Sequence, residues 1–162
     1  MAAEDARTIL VRLEGFLKAF EWMNHKANHG CTFALHQIPK AASVVSALAT
    51  YFKLSPSGFR LEPLDDLDRE LRNVFGRFLF LYQDVHGDHL QDPRQSFSLS
   101  HEFGKQQMLD ELSSAVRSLG TTGGWRVWAT LDCGELREWC FQEDVLLEFP
   151  TGLCLLHFGV SD

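Results

Sequence analysis

The spacing of apolar residues predicts a two-layer α+β fold: a mostly antiparallel sheet with a C-terminal meander and about four helices packed on it. Three observations carry this expectation. Apolar residues recur at three- and four-residue steps in several segments up to Leu119, the period switches to two after Gly123-Gly124, and the segments beyond are joined by turns too short for crossovers. One apolar core serves a chain of 162 residues and 18.4 kDa, so residues 1–162 are read as a single domain.

Residues 4–26 place Ile9, Leu13, Phe16, Leu17 and Phe20 on one helical stripe, with Glu4 and Asp5 at the positive end of the helix dipole. A short strand is expected over 31–38, ending at Pro39. A second helix over 40–52 carries Ala41, Val44, Val45, Leu48 and Phe52 on one side. After the turn cluster 55–58, residues 59–62 alternate as an edge strand would. Pro63 then opens a helix bearing Leu64, Leu67, Leu71, Val74 and Phe75, which Gly76 is placed to end. Residues 78–82 are apolar on both faces, the pattern of a central buried strand. Residues 83–95 lack periodicity. A helix over 101–119, capped by Ser100 and stopped by Gly120, leads to strands expected at 125–131, 136–141, 145–149 and 153–158, with residues 142–144 as one of the turns between them.

Composition narrows the function classes. The formal charge of −7 repels phosphate backbones and anionic membrane surfaces, which argues against nucleic acid as a partner. Apolar runs are far shorter than the roughly 20 residues that a spanning helix needs. The N-terminal residues lack the layout of a signal peptide, and the four cysteines form no C-x-x-C pair, so free thiols and a cytoplasmic location are expected.

Two groupings could bind a metal. His25, His29 and Cys31, with His36 nearby, have loose metal-like spacing, but Lys26 stands where a zincin carries its glutamate. The second is the loop 84–92, where His86, Asp88 and His89 could hold a divalent ion. His86-Gly87-Asp88-His89 shares part of the H-x-D-H pattern of dinuclear metal hydrolases, and the loop's own carboxylates and imidazoles make a small metal-dependent hydrolase an alternative reading. No nucleotide-binding loop and no G-x-S-x-G nucleophile turn is present.

The charge distribution supports a different reading. Residues 125–162 hold seven acids against two arginines, −5 of the net −7, together with three of the four tryptophans. Trp128 and Trp139 beside Glu135, Glu138, Glu143, Asp144 and Glu148 suit a basic protein surface, because aromatics supply buried area while charge steers the encounter. The expected function is a small acidic protein-binding module, namely an inhibitor, immunity protein or adaptor, that masks a basic partner and needs no cofactor. The alternatives are the hydrolase on loop 84–92 and a pocket for a small molecule, which need leave no motif.

Overall fold

A computed structural model describes residues 5–25, 30–79, 102–129 and 141–161. They form helices α1 (Ala6–His25), α2 (Val44–Phe52), α3 (Leu67–Leu79) and α4 (Glu102–Ser118). The strands are β1 (Gly30–Ile38), β2 (Phe59–Pro63), β3 (Gly123–Ala129), β4 (Phe141–Phe149) and β5 (Gly152–Ser161). All five strands pair antiparallel in the order β1-β5-β4-β3-β2. The expected α+β fold and its C-terminal meander are therefore present, with the two N-terminal strands added at the outside edges.

Alternation along the strands sorts the core onto two faces. Cys31, Phe33 and Leu35 of β1, Val145 and Leu147 of β4, and Cys154, Leu156 and Phe158 of β5 meet α1, α3 and α4 in the main cluster. The intervening residues Ile38, Leu146, Leu153 and Leu155 face the other way, into a smaller cluster with Ala47 and Leu48 of α2, Phe59 and Val127. Helix α2 thus covers part of the reverse face.

Helix boundaries follow their caps. Asp5 accepts from Thr8 N at 2.8 Å, so the acid caps α1 from outside instead of sitting in its first turn. Helix α2 begins at Val44, later than expected, because Ser43 has extended backbone and its Oγ accepts from Ser46 N at 3.1 Å. It ends at Lys53, the one described non-glycine residue with a left-handed backbone, φ 56°. Asp66 caps α3 by accepting from Arg69 N at 3.0 Å. Gly120 stops α4 in the left-handed region at φ 67°, as the sequence predicts.

Pro63 ends β2 and does not open a helix, because Asp66 sets the start of α3 at Leu67, and two further expectations need correction. Helix α3 runs through Gly76 to Leu79, so residues 78 and 79 are helical and not part of a central strand. The stripe Leu71, Val74, Phe75 continues with Phe78 and Leu79, all buried, and Asn24 Nδ2 donates to the carbonyls of Phe78 (3.2 Å) and Leu79 (3.4 Å). Packing of that stripe outweighs one glycine's poor helix propensity. Residues 80–101 lie outside the described residues. The second correction concerns residues 142–144, expected as a turn. They lie inside β4 because their polar side chains find internal partners, detailed below. The turn expected at Pro150-Thr151 is present and joins β4 to β5, pairing Phe149 with Gly152.

Sheet edges are limited. Edge strand β2 is five residues long and ends in Pro63, and on the opposite edge Phe33 N of β1 donates to Glu21 Oε2 of α1 at 2.7 Å. Cys31 and Cys154 are buried free thiols beneath the helices. Burial pushes both thiols up from their ordinary range, reinforced by Glu21 at Cys31 and by Glu14 at Cys154.

These placements give two expected outcomes. Gly76→Ala should stabilise the protein by about 0.5–1 kcal/mol in chemical denaturation, since the added Cβ meets only ordinary contact with Leu109 Cδ1 at 4.0 Å. A loss of stability there would mean that Gly76 ends the helix. The raised Cys154 thiol makes stability complete below the unfolded-state thiol pKa of about 8.5 and progressively lost above it. Denaturation midpoints should fall between about pH 8.5 and 10, less steeply in Cys154→Ala, and equal slopes would contradict the assignment.

Candidate functional site

Among the described residues, β2 and β3 form one margin of the sheet. In their register Arg60 stands opposite Trp128, and Phe59 opposite Ala129. Trp128 is 45% exposed, and the Arg60 guanidinium carbon lies 5.7 Å from the centre of its ring. A cation over an aromatic face is favourable and holds the indole in place without covering it. Glu62 follows on the same face of β2, and Asp65 and Asp66 lie just beyond the strand; all three residues are exposed. Trp125, three residues from Trp128, points to the opposite face and packs against the second cluster with Val127 and Leu146.

The acids singled out from sequence divide sharply. Glu143 is buried on the helix face, where its Oε2 accepts from Arg77 Nη1 at 2.8 Å and its Oε1 from Arg126 Nε at 3.1 Å. Arg126 also reaches Glu70 Oε2 at 3.1 Å, so the network fastens α3 to β3 and β4. Glu143 is therefore not offered to a partner. Glu148 is partly exposed and pairs with Lys40 at 3.1 Å. Glu135, Glu138 and Trp139 lie outside the described residues, as do His86, Asp88 and His89 of the expected metal loop.

Asp144 faces the other way from Glu143 and is 2% exposed. It stands opposite His157 across the β4–β5 ladder. His157 Nδ1 and Asp144 Oδ1 are 2.7 Å apart, and Gln142 Nε2 donates to Asp144 Oδ2 at 2.6 Å. An ionised carboxylate only accepts, so with the acid ionised Nδ1 carries the proton of this contact. His157 is 1% exposed, and its Nε2 has no hydrogen-bond partner among the described residues. A carboxylate thus fixes the ring of a buried histidine and leaves its second nitrogen unmet, an arrangement the sequence did not signal because its members are thirteen residues apart.

Of the first metal-like grouping, His29 and the His25 side chain lie outside the described residues, and the sheet separates the other two members. Cys31 faces the helices, whereas His36 lies on the reverse face against Tyr51 and Phe52. Among the described residues no three His, Cys, Asp or Glu side chains gather as a metal site, and no helix is long and apolar enough to cross a membrane. Comparison with family models, with curated proteins and with solved structures gives no match.

Asp144→Ala leaves the buried imidazole unpaired and should cost about 1–3 kcal/mol in equilibrium unfolding. Replacing both partners, as in Asp144→Leu with His157→Leu, should cost clearly less than Asp144→Ala alone, since no buried polar group is then stranded. Additive losses in the double variant would show that the two side chains act independently.

Proposed function

We propose that this chain is a protein-binding module that masks a basic partner, in the manner of an inhibitor, immunity protein or adaptor. Trp128 is the anchor. The observation that carries this reading is an indole left 45% exposed on the outer strand pair although Arg60 holds its ring in place. Interface hot spots are enriched in tryptophan and arginine, and an aromatic held in one orientation loses less entropy on binding.

Charge supplies the preference for a basic partner. The chain carries −7, and Glu62, Asp65 and Asp66 are exposed beside and just beyond the margin strand. Complementary charge of this kind raises association rates and disfavours acidic competitors. Glu135, Glu138 and Trp139 join the proposal from sequence, because they follow Trp128 between β3 and β4. Asp144 and Glu143 act behind this surface, as parts of the framework.

The test is affinity capture from a cell extract at two salt concentrations, using the wild type, Trp128→Ala, and Glu62→Lys with Asp65→Lys. Trp22→Ala serves as the control, since Trp22 is 72% exposed on the remote outer face of α1. A basic protein retained by the wild type and the control should be lost by at least about tenfold in Trp128→Ala. The charge-reversed variant should bind it more weakly and with less dependence on salt. Full retention by Trp128→Ala would refute the proposal.

A further inference from the structure

Of the large apolar side chains exposed among the described residues, two stand on helix α1: Val11 at 58% and Trp22 at 72%. They are separated by about three turns, so they share one line along the helix. Gly15 and Lys18 fall between them on that line, opposite the buried stripe Ile9, Leu13, Leu17 and Phe20. Gly15 answers to no packing need of its own chain: among the described residues an added Cβ would meet nothing within 4 Å, and glycine weakens a helix interior relative to alanine. What a bare position on an outer face does permit is the close approach of another backbone.

The line reads alike in both directions. A second α1, turned end for end, brings its Trp22 over Val11 and its Lys18 over Gly15, and the same contacts recur beyond a twofold axis level with the Phe16–Leu17 peptide. The lysine stem then crosses the bare backbone at Gly15, and its ammonium reaches the exposed Glu14 of the second copy. Glu14 and Lys18 lie on one flank of the line, the flank that an antiparallel pair brings together. Lys18 already donates to Glu21 at 2.8 Å, and an ammonium with three donors can serve both acids. The helix carries Arg7, Arg12 and Lys18 against Glu14 and Glu21, so two copies of a chain of −7 meet here free of its acidic excess.

We infer that this chain forms an antiparallel dimer through the outer face of α1, with Trp22 of each copy packed on Val11 of the other. The paired side chains and their flanks can bury on the order of 1,000 Å² in total, the size of a weak, reversible contact. Both copies use the same surface, so the assembly closes at two. The inference is independent of the partner surface at Trp128: α1 borders β1, and the β2–β3 margin lies at the opposite side of the sheet.

Sedimentation equilibrium of the full chain, from about 10 μM to 1 mM, tests it. The average mass should rise from 18.4 kDa toward twice that value. Trp22→Ala should weaken the dimer at least about tenfold. Gly15→Gln should weaken it as much by holding the backbones apart, yet melt no lower than the wild type, since glutamine is the better helix former. Glu14→Lys should weaken it about two- to fivefold by setting like charge against Lys18, and adding Lys18→Glu should restore it. A monomer at every concentration, which would leave the face to a different molecule, growth beyond two copies, or a dimer unaffected by Trp22→Ala or Gly15→Gln would each overturn the inference. Failure of the charge swap to restore association would overturn the antiparallel register.

Discussion

Everything in this fold answers to the β4–β5 hairpin, which is apolar on both of its faces. Val145, Leu146 and Leu147 are buried in succession, as are the residues from Leu153 to Leu156. A strand pair of this kind has no face to give to water, so both sides must be covered and further strands must flank it. Helices α1, α3 and α4 meet one requirement and α2 meets part of the other. Strands β1 and β3 occupy the two sides of the hairpin, and β2 closes the row beyond β3. The hairpin itself needs only Pro150-Thr151 to form, so the most buried part of the sheet is also its most local pairing.

The two carboxylates of this centre each enter with partners. Glu143 meets two arginines, and Asp144 meets a histidine and a glutamine. Ion pairs at such depth contribute less to net stability than their short distances suggest, because desolvation offsets attraction. They do specify arrangement. Glu143 and Asp144 are adjacent in sequence and point to opposite faces, so a register slip of one residue would strand both carboxylates among apolar side chains. The pair therefore selects the correct pairing of β4 against alternatives that hydrophobic burial alone would tolerate.

The helical half was legible because its apolar stripes are long: Ile9, Leu13, Leu17 and Phe20 repeat over several turns and all are buried. The boundary of α3 was not legible. Phe78 and Leu79 satisfy both a doubly apolar strand and a continued helical stripe, and only the position of Asn24 at the carbonyl end separates the two. Acidic residues misled for a related reason. A run such as Gln142-Glu143-Asp144 reads as a turn unless the distant Arg77, Arg126 and His157 are known to converge on it. Of the proposed partner surface, Trp128 was visible from alternation, but Arg60, Glu62 and Asp65 were not, since nothing in their local pattern ties β2 to β3.

The contact from Phe33 N to Glu21 has a consequence for solubility. Strand β1 is nine residues long and forms one border of the sheet, the kind of border onto which a second polypeptide can zip by backbone pairing. Glu21 occupies one of the amide positions that such an incoming strand would need, and it places a carboxylate where another backbone would have to lie. Lys18, at 2.8 Å from the same carboxylate, adds a second charge at that border. One turn of α1 thus acts as a gatekeeper, keeping a long hydrophobic sheet from propagating into fibrous assemblies.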